Sequence, residues 1–80
     1  MTRRGLEKSR EIVSRVFGNS GKQWLDHRYL RANVKLELGY TFNFRRERTN
    51  SEDNELADLI INSLVEARKL KRDGKMYKLL

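Results

Sequence analysis

The chain of 80 residues contains no cysteine, no proline and a single histidine, His27. Without thiols there is no disulfide framework, no thiolate nucleophile and no cysteine zinc site. Without proline there is no evident linker, and a length of 80 residues suits one small domain. No apolar run approaches the roughly 20 residues needed to span a bilayer. The opening Met-Thr-Arg-Arg-Gly lacks the apolar stretch of a secretory signal. The expected location is therefore intracellular, cytoplasmic or nucleoid-associated, with no membrane partner.

Recognisable chemistry is also scarce. One imidazole with no second histidine and no cysteine does not make a metal site of ordinary type. Gly18-Asn19-Ser20-Gly21-Lys22 lacks the spacing and the preceding strand of a phosphate loop. The acids Glu52, Asp53, Glu55 and Asp58 lack the ligand order and central glycine of a calcium loop and read as helix-start charges. The expectation is a protein without cofactor, metal or catalytic activity.

What the chain does have is charge, unevenly placed. The net +7 divides into +3 over residues 1–17, +4 over 18–51, −5 over 52–66 and +5 over 67–80. A small domain with a pI near 10.1 has nucleic acid as its leading partner class, ahead of an acidic protein or an anionic membrane.

Periodicity suggests the elements. Leu6, Ser9, Val13, Val16 and Phe17 recur at helical spacing, which predicts a helix over 4–17 with Gly18 as its left-handed stop. Ser20 and Gln23 match a capping box and predict a second helix over 22–32, with Leu25, Tyr29 and Ala32 on one face and Trp24 flanking it. Val34, Leu36, Leu38, Tyr40, Phe42 and Phe44 alternate with polar residues or glycine, predicting a half-buried strand over 34–46.

A third helix is expected over 52–68. Leu56, Leu59, Ile60 and Leu64 form one apolar face and Ala57, Ile61 and Val65 an adjacent one, leaving Glu55, Asp58, Asn62 and Glu66 as the polar stripe. So wide an apolar surface implies either a central core helix or a homodimer interface through Ala57, Ile61 and Val65. Asp73-Gly74 then predicts a hairpin turn that pairs Arg72 with Lys75 and Leu70 with Tyr77, with Leu70, Tyr77 and Leu79 on the buried face. The expected class is α+β, a single domain over 1–80 in the order α-α-β-α-β-β with a C-terminal β-hairpin.

The segment from Leu56 to Leu80 resembles the last helix and wing of winged-helix DNA-binding domains: an apolar helix, then Leu64-Val65-Glu66-Ala67-Arg68-Lys69-Leu70, then Lys71 to Leu79 around Asp73-Gly74. The resemblance implies binding through the wing, because Glu55, Asp58 and Glu66 on the helix in the recognition position would repel phosphates. Its expected contacts are Lys69, Lys71, Arg72, Lys75 and Lys78 on the hairpin, with Arg45, Arg46 and Arg48 at the strand exit. The leading expectation is a DNA-binding transcriptional regulator acting on duplex DNA. The alternative is a non-catalytic adaptor or inhibitor that docks a larger protein through helix 52–68 or the edge of strand 34–46.

Overall fold

The computed structural model describes residues 3–41 and 50–80. These form α1 (Arg3–Ser20), β1 (Trp24–Asp26), α2 (His27–Thr41), α3 (Asn50–Glu66), β2 (Leu70–Asp73) and β3 (Met76–Leu79). The fold is α+β, with three helices packed on one antiparallel sheet of order β1-β3-β2. The class and the C-terminal hairpin match the expectation. The first strand, however, precedes the second helix.

The α1 helix outlasts its expected stop. Gly21, with φ +68°, takes the left-handed position after Ser20, and its N–H reaches the Phe17 carbonyl at 3.2 Å. Ser20 is no capping-box residue for a following helix. Its hydroxyl donates to the Phe17 carbonyl at 2.8 Å and accepts from the Lys22 N–H at 3.1 Å, closing the end of α1. The next helix starts later, where the Asp26 carboxylate accepts the Tyr29 N–H at 2.7 Å as an N-cap. Trp24 and Leu25, expected on that helix, therefore lie on β1.

Residues 34–41 are helical rather than extended, which corrects the expected strand over that range; 42–46 lie outside the described residues. A period of two contains a period of four. Leu30, Val34 and Leu38 follow one another at i,i+4 and are all buried, while Leu36 between them is 59% exposed.

Helix α3 is the centre of the core. Ala57, Ile60, Ile61 and Leu64 are buried within the single chain, against Ile12, Val13, Val16 and Phe17 of α1, the α2 row, and Leu25, Leu70 and Tyr77 of the sheet. Each of the larger aliphatic and aromatic side chains among them contributes roughly 1.5–3 kcal/mol on burial. Ala57 and Ile61 are therefore closed to the homodimer interface considered for them, and Val65 is partly buried against the same core. Leu59 departs from expectation in the other direction: it is 55% exposed on the outer stripe of α3.

The α3 terminus is a Schellman motif. The Lys69 N–H bonds the Leu64 carbonyl at 2.9 Å and the Arg68 N–H bonds that of Val65 at 3.1 Å. Its left-handed residue is Arg68, with φ 61°, where glycine is usual.

The hairpin register also differs from expectation. Leu70 pairs with Leu79, Lys71 with Lys78, Arg72 with Tyr77 and Asp73 with Met76. Gly74 and Lys75 are the turn residues, and of the two only Gly74 has positive φ, at 61°. A glycine with positive φ at the first central position is the type II′ arrangement, so Asp73 stays in the strand. Leu70, Tyr77 and Leu79 still share the core side, as expected.

Candidate nucleic-acid interface

Because directly opposed strand residues project from the same side, the register assigns a face to each cation of the ladder, Lys71, Arg72 and Lys78. Trp24, Lys78 and Lys71 form one cross-strand row on the outer side of the sheet, and Asp26, Met76 and Asp73 form the next. Lys71 is exposed and Lys78 half-buried, with the Lys78 ammonium 5.8 Å from the centre of the Trp24 ring. That separation lies within cation–π range. Two lysines directly opposite each other repel, a local cost of a few tenths of a kcal/mol to about 1 kcal/mol.

Beside this row is a pocket of about 150 Å³ lined by Ser20, Lys22, Trp24, Leu25, Asp26, Tyr29 and Met76. Tyr29 is 43% and Met76 38% exposed at its rim. Composition gave no reason to single out Trp24, Lys22 or Tyr29. Their convergence depends on the short strand β1 between α1 and α2, which the periodicity did not reveal.

Arg72 lies on the opposite face. Its guanidinium carbon is 6.0 Å from the centre of the Tyr77 ring, and its Nε donates to the Gly74 carbonyl at 3.2 Å. Arg72 and Lys75 border an open cleft of about 380 Å³ with His27, Asp58, Asn62, Gly74 and Tyr77.

A polar cluster forms part of that cleft. Arg31 donates to both carboxylate oxygens of Asp58, Nε to Oδ1 at 2.9 Å and Nη2 to Oδ2 at 3.1 Å. Arg31 Nη2 is also 3.1 Å from His27 Nε2, and His27 Nδ1 is 3.1 Å from the Tyr77 hydroxyl. The imidazole thus sits between the Arg31–Asp58 pair on one side and the Tyr77 hydroxyl on the other. His27 Nε2 is also 3.3 Å from Asp58 Oδ1. Asp58 was expected to repel phosphate from α3. Here its charge is matched by Arg31, while Glu52, Glu55 and Glu66 stay exposed on the outer stripe with Leu59.

The expected site residues thus do not form one surface. Lys71 and Lys78 share a face with Trp24, and Arg72 and Lys75 border the cleft behind it. Lys69 lines a separate groove with Arg3, Leu6, Glu7 and Arg10. Arg45, Arg46 and Arg48 lie outside the described residues. Among the described residues no group of His, Cys, Asp or Glu is arranged to hold a metal ion, and no helix is long and apolar enough to cross a membrane. No family model, curated protein or solved structure matches the chain.

Proposed function

We propose that this chain is a nucleic-acid-binding module of winged-helix type, acting as a DNA-binding regulator that holds phosphates on its C-terminal hairpin. The carrying observation is the row of Lys71 and Lys78, directly opposed in the ladder beside Trp24. Like charges set face to face destabilise a hairpin, and a phosphate seated between them removes the repulsion. The topology supports the same reading. The last helix leads through Arg68 directly into a two-stranded hairpin, an arrangement compatible with the last helix and wing that this third of the sequence resembles.

Fluorescence anisotropy on duplex DNA across a salt series tests the proposal. Lys71, Arg72, Lys75 and Lys78 are the candidate phosphate contacts. If the Lys71–Lys78 row alone engages, log K falls against log salt with a slope of about −2, and a steeper slope means that Arg72 and Lys75 on the other face are reached as well. A slope near zero would sink the reading.

One observation favours a second reading. Leu59 is 55% exposed between Glu55 and Asn62 on the outer stripe of α3, an apolar anchor in an acidic rim suited to a basic protein surface. Capture of a partner that survives nuclease and is lost on Leu59→Ser would favour this docking role. Capture abolished by nuclease would count against it.

A further inference from the structure

We infer that the pocket beside β1 is a seat for one unpaired nucleobase, so that nucleic acid held through its phosphates by the hairpin, duplex or single-stranded, makes this added contact only where a base is unpaired. This inference rests on the nucleic-acid reading above and adds to it a substrate class.

Three observations point to the same occupant. The pocket is about 150 Å³, the scale of a single ring system rather than of a peptide or a base pair, and its lining includes Trp24, Tyr29 and Met76. Aromatic rings accept a base face whatever its sequence, and every base has such a face. Second, the charges around the pocket are sorted. Lys22 lines it, and Lys78 and Lys71 continue from Trp24 across the sheet, whereas Asp26, also in the lining, and Asp73, two strands away, flank Met76. A phosphate is drawn toward the lysines and away from Asp26, which leaves the uncharged base to occupy the aromatic end. Third, Tyr29 is 43% exposed and Met76 38% exposed, so apolar surface that the core does not use faces solvent at one place. A stacked duplex offers no free base face there; an unpaired nucleotide offers both a face and a phosphate.

The chain provides its own probe, because Trp24 is its only tryptophan. Three DNA probes of one length separate the possibilities: a single strand, the blunt duplex of the same sequence, and a single strand made of abasic units, which keeps the phosphates and lacks the bases. Trp24 emission and the anisotropy of a dye on each probe are read together in wild type and in Tyr29→Ala. This exposed helix position tolerates alanine, and the Tyr29 backbone N–H bond to Asp26 is retained.

The expected result is quenching of Trp24 by the single strand alone, with about tenfold weaker single-strand binding in Tyr29→Ala and unchanged binding of the abasic strand. If the single strand binds with a steep salt slope yet leaves Trp24 emission unchanged, or binds Tyr29→Ala as tightly as wild type, the base seat is refuted and the phosphate reading stands. If none of the three probes binds, the nucleic-acid reading falls and the base seat falls with it.

Discussion

Arg68 occupies the left-handed position that ends α3, at φ 61°, and this offers a direct test of how the chain enters its hairpin. The perturbation is a pair of substitutions, Arg68→Gly and Arg68→Ala. A left-handed conformation costs a residue with a Cβ roughly 1–2 kcal/mol. Glycine escapes that cost but loses roughly 0.5–1 kcal/mol more backbone entropy on folding than alanine. The two variants lack the same exposed guanidinium, so charge cancels between them. The difference leaves the glycine variant more stable than the alanine variant by about 1 kcal/mol. For a domain of this size that corresponds to about 4–8 °C in Tm. Against wild type the gain of the glycine variant is smaller, about 0.5 kcal/mol, because a cation near a helix C-terminus contributes roughly 0.3–1 kcal/mol. Calorimetry, or urea unfolding with an unchanged m-value, reads the effect. A glycine variant no more stable than the alanine variant would refute the assignment of strain to this residue, and with it the Schellman geometry drawn from the Lys69 and Arg68 N–H bonds.

Three further outcomes are expected. Lys71→Glu places an acid opposite Lys78, so stability rises by about 0.2–1 kcal/mol while the salt slope of nucleic-acid binding falls by about 1; opposite signs in the two assays are the signature. Ile61→Ala, at a wholly buried position of α3, costs about 2–5 kcal/mol in urea unfolding without altering the oligomeric state; a changed sedimentation coefficient with stability preserved would return Ile61 to an interface. Asp58→Asn removes the charge that Arg31 and His27 face, which lowers stability by about 1 kcal/mol and tightens binding to duplex DNA, a gain that anisotropy would miss if the cleft takes no part in binding.

The elements legible in the sequence are those whose pattern has one solution. The helix over Leu6 to Phe17, the apolar α3 and the Asp73-Gly74 hairpin all appear, with ends displaced by a few residues. The segment from Val34 to Leu38 has two solutions, since alternate apolar residues supply both a strand face and an i,i+4 helix row. Tertiary packing of Val34 and Leu38 selects the helix and leaves Leu36 outside. The capping signal at Ser20 was also ambiguous, because the same hydroxyl can open a helix or close one, and Gly21 with positive φ decides for closure. The charge excess of the hairpin was readable, and so was its division between two faces, since Leu70, Tyr77 and Leu79 turned inward leave Lys71 and Lys78 outward in either register. That Lys71 stands directly opposite Lys78 rather than Met76 was not readable: it depends on whether Gly74 is the first or the second central residue of the turn, a backbone property that moves the pairing by two residues.

The hairpin tip is also anchored to the rest of the fold. The His27 backbone N–H donates to the Lys75 carbonyl at 2.9 Å, so the tip is bonded to the first residue of α2. Mechanically the hairpin is a braced strut, and a pull on Lys75 is carried into α2 rather than absorbed by bending. Thermodynamically, a partner that lands on the tip meets a surface already in its final shape. Association at the tip then carries little ordering entropy of the protein, and its heat-capacity change reflects only the area that is covered.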